Sequence, residues 1–370
     1  MREAEDRAWE VVRRAYEERP ARPRRASGHR RLVIGIVVVA LGVAAGAAAS
    51  PPGQAVFEKV REAVGVQHAE PALFALPSRG RLLVVSAAHG GVWLIHPNGL
   101  KRRIGSYDDA QWSPHGLFII ATTRNALAAI DADGNTRWSL PRRGPSWPRW
   151  EGTRTDTRIA YITQSGLRVV AGDGTGDHLL DPHAQAIPPA WDPTRLHTVA
   201  YFSGGAVVLR DADTGSLVWR APIRVLPTEL EWSTDGQLLA VRSEKRVIVL
   251  GANGRTRRVI STLGWDFSGM AFKPRTHRLA VTMRLAGRSE VRLVDIEHPG
   301  RARLLFAGPG VFGDIVWSPD DRWLLVTWPT ADQWVFLHGA HVRAVANIRE
   351  QFPRKDHLGP RLQLDQRWCC

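Results

Sequence analysis

The sequence predicts an all-β fold: a seven-bladed β-propeller, with six and eight as the bounding blade counts, of four-stranded antiparallel blades, preceded by an N-terminal amphipathic helix and one transmembrane helix. Three observations lead there. An aromatic corner followed by an apolar run recurs at Trp112 (WSPHG), Trp150 (WEGTR), Trp191 (WDPTR), Trp232 (WSTDG), Phe272 (FKPRT) and Trp317 (WSPDD), at separations of 38, 41, 41, 40 and 45 residues; Leu76 in LPSRG stands 36 residues before the first. About 20 residues after each of these seven anchors comes a turn: HPNG, DADG, GDGTG, DADTG, GANG, EHPG and HGAH. Between the two landmarks lie runs of strand length, the repeat pattern of a propeller.

Residues 1–31 begin MREAEDRAWEVVRRAYEERP, where Ala8, Trp9, Val11, Val12, Ala15 and Tyr16 fall on helical spacing opposite Arg and Glu. This is an amphipathic helix of about four turns, and Trp9, Val12 and Tyr16 are the side chains expected to meet a cytoplasmic protein partner. PARPRRASGHRR then carries five Arg and no acid, and the stretch from Leu32 to Ala49 runs 18 residues without a charge. That length nearly matches the hydrocarbon layer, so residues 32–50 are expected to span the membrane once. The positive-inside rule puts the N-terminus in the cytoplasm and the remainder outside. Ala47-Ala48-Ala49 also fits a signal-peptidase site, and both readings export the C-terminal part. Residues 51–70 carry Val56, Phe57, Val60, Ala63 and Val64 on helical spacing and read as a stalk.

Residues 71–348 hold the propeller. Within one unit, TELEW leads into the turn STDG, QLLAVRS and RVIVLGA are β-rich runs parted by polar residues, and RTRRVIS comes after the Asn253-Gly254 turn. The Ser-Pro corner works because Pro presets φ at the second turn position and Gly or Asp tolerates the conformation of the later turn positions. The large aromatic before it is a wedge between stacked sheets, so the anchors are expected to be core. The first unit begins PALFAL and the last supplies RWLLVTW, QWVFLH and VRAVANI, which makes both look complete and closure a side-by-side contact. Residues 349–370 are then a tail available to cover an outer edge, cap the ring or hang free.

WSPHGLFIIA, WSTDGQLLAV and WSPDDRWLLV resemble the repeat of TolB-type, WD-repeat-like bacterial propellers over residues 71–348, while WEGTR and FKPRT depart from it. The resemblance implies a binding platform outside the cytoplasmic membrane. It also implies that the short segment before each anchor lies nearest the axis, so that the residue three before the anchor stands at one height in each blade. Those positions hold Asp109, Trp147, Pro188, Glu229, Gly269 and Asp314. Asp109, Glu229, Asp314 and Trp147 around one opening are a candidate site for a cation, an amine or a basic peptide segment.

The remaining chemistry is excluded by what the residues lack. Fifty Lys and Arg against 36 Asp and Glu give +14, yet the cations are mostly Arg scattered along the chain, so no nucleic-acid partner is expected. Cys369 and Cys370 are adjacent and cannot staple distant loops. The 13 His show no metal-ligand spacing, and there is no GxSxG elbow, so no metal, cofactor or catalytic residue is expected. AAIDADGNTRW and VLRDADTGSLVW are similar to the docking repeat of quinoprotein dehydrogenases, which carry adjacent cysteines, but two of seven units match. The expected function is a single-pass, non-catalytic platform for a protein or cell-envelope ligand. One alternative is a transmembrane signalling protein whose layout is similar to membrane-bound anti-sigma factors; the other is a quinoprotein-like enzyme.

Overall fold

The computed structural model describes residues 75–86, 91–153, 156–298, 300–352, 362–363 and 368–369. The amphipathic helix with Trp9, Val12 and Tyr16, the apolar stretch 32–49 and the stalk lie outside the described residues. Among the described residues no helix is long and apolar enough to cross a membrane.

Seven antiparallel sheets succeed one another along the chain. The second blade comprises Asp109–Trp112, Phe118–Thr123, Ala126–Asp131 and Thr136–Pro141; the third Ser146–Trp150, Arg158–Thr163, Gly166–Ala171 and His178–Asp181. The fourth comprises Ala190–Trp191, Thr198–Ser203, Ala206–Asp211 and Leu217–Pro222; the fifth Glu229–Trp232, Leu238–Arg242, Arg246–Gly251 and Thr256–Ser261. The sixth comprises Asp266–Phe272, Arg278–Leu285, Arg288–Asp295 and Ala302–Pro309; the seventh Ile315–Trp317, Leu324–Trp328, Gln333–His338 and His341–Val345. In each, the segment before the anchor is the first strand and the apolar run after it the second, as the repeat predicts.

The first blade is built differently from the expectation. Arg81–Ser86, Gly91–Ile95 and Lys101–Gly105 supply its outer three strands, and the first place is filled from the far end of the chain by Leu362–Gln363 and Trp368–Cys369. Trp368 lies opposite Leu82 as Trp112 lies opposite Ile119, so Trp368, not Leu76, occupies the seventh wedge position. The reading of side-by-side closure is thereby corrected: the tail enters the ring and hydrogen-bonds to its first strand. The physical reason is the unpaired inner edge that Arg81–Ser86 would otherwise present. Trp368 packs edge-on to Phe336 of the seventh blade at 5.8 Å, in one buried cluster with Leu76, Leu82, Val84, Val316 and Leu325. A short helix, Ile348–Gln351, and Phe352 join that seam, Phe352 resting against Trp93 at 5.7 Å and Trp334 at 5.6 Å. Cys369 is disulfide-bonded, and the chain's other cysteine, Cys370, lies outside the described residues.

The wedges are core, as expected: Trp112, Trp150, Trp191, Trp232, Phe272 and Trp368 are buried, and Trp317 is partly so. Their indoles also stitch blades together. Trp191 donates to the Arg149 carbonyl (2.7 Å), Trp232 to that of Ala190 (3.3 Å) and Trp317 to that of Ala271 (3.3 Å), each time the residue just before the preceding anchor. The Ser after the anchor closes its corner: the hydroxyls of Ser113, Ser233 and Ser318 accept the N–H of Phe118, Leu238 and Trp323 at 3.0, 3.0 and 2.9 Å. The phrases DADGNTRW and DADTGSLVW prove to be structural docks. Trp138 and Trp219 on outer strands donate to Gly172 and Ala252 in the next blade's turn, both at 3.0 Å. Their rings cover Gly174 and Gly254, where a Cβ would stand 2.7 and 2.8 Å from the indole, so those turns accept only glycine.

The corners that depart from the repeat carry buried or bridging charge. In WEGTR, Glu151 is fully buried and accepts the backbone N–H groups of His197 (2.5 Å) and Arg158 (3.0 Å). His197 places Nδ1 2.6 Å from Asp213 and Nε2 2.8 Å from the Asp156 carbonyl, with Arg158 beside both acids. In the sixth blade His277 bridges Asp235 of the fifth and Glu297 of its own, each at 2.8 Å. Burial disfavours the charged imidazoles, but the acceptors around them outweigh it, and both histidines hold a proton above their ordinary value of 6.5. The stabilisation such a group gives is complete below the unfolded value and is lost as pH rises through the folded one. The urea midpoint is therefore expected to fall as pH rises above the ordinary imidazole value of 6.5, and to fall less in His197→Asn/His277→Asn. Equal slopes in the two proteins would remove this role.

Candidate functional site

Antiparallel order fixes two faces. The loops between blades and the second-to-third-strand hairpins share one face; the anchor corners and the third-to-fourth-strand turns share the other. The predicted site lies at the start of the first strands, hence at the loop face. Register shows which residues are equivalent. Asp109 lies opposite Thr122, Glu229 opposite Arg242 and Gly269 opposite Thr282. The Asp314 backbone carbonyl accepts the N–H of Thr327 at 3.0 Å. In the first blade the tail residue Gln363 takes this place, opposite Val85.

The third blade breaks the count. A bulge between Ser146 and Arg149 puts Ser146, not Trp147, opposite Ile162. Trp147 sits within the bulge at φ 47, a left-handed conformation a bulky residue rarely adopts, and packs against the cluster of Ile162, Leu167 and Trp191. Its N–H donates to Asp109 Oδ2 at 3.1 Å, while Asp109 Oδ1 accepts the N–H of Ala110 at 2.8 Å. Asp109 and Trp147 are thus joined, as are Gly269 and Asp314: a Cβ on Gly269 would lie 3.4 Å from the Asp314 Cα.

Glu229 is a buried, ion-paired acid at this face. Arg242 on the neighbouring strand donates through Nε to its Oε2 at 2.7 Å and through Nη1 to the Phe267 carbonyl at 3.2 Å. Burial raises the Glu229 carboxyl above its ordinary value; Arg242 and then Arg149, from the third blade, pull it back without cancelling the rise. Neither Arg149 nor Arg242 stands out in the sequence. Arg242 is accessible to pairing logic, since antiparallel register sets it across from Glu229. Two pairs of neighbouring blades are tied by a related device: Gln111 Oε1 of the second blade accepts the Trp150 N–H of the third at 2.5 Å, and Glu231 Oε1 of the fifth the Phe272 N–H of the sixth at 3.0 Å. Among the described residues no group of three His, Cys, Asp or Glu is placed to hold a metal ion.

No protein-family model matches the chain, and no curated protein matches it. Among solved structures it is similar to a chain of Kuenenia stuttgartiensis hydrazine synthase, with a TM-score of 0.50 and 14% identity over 62% of this chain and 75% of that one. It is similar also to a chain of a mitotic checkpoint complex, with a TM-score of 0.55 and 14% identity over 72% of this chain and 90% of that one. At such identity the likeness speaks for the fold alone: this chain is an all-β, seven-bladed propeller of four-stranded antiparallel sheets.

Proposed function

We propose that the chain is a membrane-anchored, TolB-type propeller outside the cytoplasm that binds a protein or cell-envelope ligand without catalysis. The observation that carries the binding role is Glu229. A carboxylate whose ionised form is penalised by burial, on a first strand of the ring beside Arg149 and Arg242, costs stability where an apolar pair would serve packing as well. Such a cost is accepted where charge is used. With Asp109 and Asp314 at equivalent heights in their blades, the loop-face opening suits a cationic segment of a partner, steered by charge.

The test uses pentalysine amide titrated into the full chain. Saturable binding is expected, weakened about tenfold in Glu229→Gln/Asp314→Asn. The same affinity in that variant, with an unchanged thermal midpoint, would reject the opening as the site. The anchor is tested separately by carbonate extraction of membranes, where residues 32–49 are expected to keep the chain in the pellet and their deletion to release it.

A further inference from the structure

The opposite face carries a concavity that neither the repeat nor the loop-face opening explains. Between the sixth and seventh blades a groove of about 510 Å³ opens beside Lys273 and Trp317, within the size range of small-molecule sites. Its origin lies in the FKPRT corner. Where Ser113, Ser233 and Ser318 fold back to close their turns, Lys273 succeeds the sixth anchor, and its ammonium extends over the Trp317 ring at 5.3 Å. Trp317 is the one wedge of the seven left partly exposed.

The groove has a sorted lining. Its floor is apolar, with Leu293, Leu305, Leu324 and Leu337 beneath the Trp317 ring. Its rim is cationic, with Lys273, Arg301, Arg303 and Arg322. The two acids present are already engaged. Asp321 is paired with Arg275, and Asp295 lies 3.6 Å from Arg278 and 3.2 Å from His298 while accepting the N–H groups of Glu297 and His298. Among the described residues no ion pair forms at Lys273, Arg301 or Arg303, while Arg322 helps to hold the Asp320 carboxyl below its ordinary range and gives that acid its backbone N–H at 3.3 Å. Four like charges around one concavity repel one another and focus a positive potential into it. An apolar body bearing an anionic head answers both parts of the lining: the head neutralises the rim and the body covers the leucines and Trp317.

We propose that this groove binds an amphiphilic anion, an organophosphate or similar acid with an apolar body. Lys273, Arg301, Arg303 and Arg322 hold the anionic head, and Trp317 with Leu293 and Leu305 receives the body. The chemistry is shared by the headgroup region of an anionic lipid and by a soluble organophosphate.

The experiment titrates hexyl phosphate and inorganic phosphate into the full chain in dodecyl maltoside, with binding measured by calorimetry. Hexyl phosphate is expected to bind saturably and about tenfold more tightly than inorganic phosphate, because only it reaches the floor. Arg301 and Arg303 are exposed, so Arg301→Glu/Arg303→Glu is expected to keep the thermal midpoint and to weaken hexyl phosphate about tenfold or more. Arg255→Glu/Arg257→Glu removes as much positive charge from exposed positions of the fifth blade and is expected to leave binding unchanged. Equal affinity for the two phosphates, no binding, or equal losses in the two variants would each overturn the proposal. Added phosphatidic acid separates the sources: competition with hexyl phosphate assigns the groove to a membrane lipid, and its absence to a soluble ligand.

Discussion

Trp368→Ala is expected to cost about 3–5 kcal/mol of stability, and truncation after residue 361 to prevent the ring from closing. Trp368 is 5% exposed and fills the seam between the first and seventh blades, so its removal leaves a cavity lined by Phe336, Leu82 and Val316. For a domain of this size the substitution corresponds to a melting-temperature loss of about 10 °C. Truncation goes further, because Arg81–Ser86 loses its neighbour on one side and becomes a bare edge able to recruit another chain. Scanning calorimetry on the variant and size-exclusion chromatography on the truncated protein check the two outcomes. Leu263→Ala, at a side chain 98% exposed, is the control and is expected to change stability by less than about 0.5 kcal/mol. A Trp368→Ala loss no larger than that control's would mean that the tail does not hold the ring.

The second large effect belongs to Arg242→Met, expected to cost about 3 kcal/mol at neutral pH. It strands Glu229 in the interior with Arg149 as the remaining cation that lowers its carboxyl, and it cuts the bond from Arg242 to the Phe267 carbonyl of the next blade. The double variant Glu229→Gln/Arg242→Met is expected to recover part of that loss, since a neutral amide is cheaper to bury than an uncompensated carboxylate. Glu229 already holds its proton above the ordinary value, and losing Arg242 raises it further, so the penalty in Arg242→Met shrinks as pH falls and Glu229 is neutralised. Urea titrations at neutral and mildly acid pH measure this. A double variant no more stable than Arg242→Met would show that the bond to Phe267, and not the charge pair, carries the loss.

Most of the architecture is legible in the sequence because the anchor and the turn are local chemistry. A Trp, then a Ser whose hydroxyl accepts the N–H five residues on, then a Pro specify one corner in WSPHG and WSPDD, and the next strand inherits its register. The first blade is not legible because its wedge, Trp368, is separated by the whole ring from the strand it covers, and nothing local marks a lone Trp in a polar tail as core. Leu76 is buried in the same cluster, which is why its sequence context looks like an anchor. At the candidate site, counting back three residues succeeds for Asp109, Glu229 and Gly269, where the strand is regular up to that point, and slips at Trp147, where one inserted residue makes a bulge. The groove is hidden for another reason. Lys273, Arg301, Arg303 and Arg322 look dispersed along the chain, and the stacking of two blades brings them to one rim.

Hydrogen exchange on the full chain tests ring closure most directly. If Leu362–Gln363 and Trp368–Cys369 pair with Arg81–Ser86, peptides covering residues 81–86 should exchange as slowly as those covering the second blade's 118–123, with residues 362–369 protected alongside them. Rapid exchange across residues 362–369, with 81–86 no better protected than an edge strand, would contradict a ring fastened by its own C-terminus.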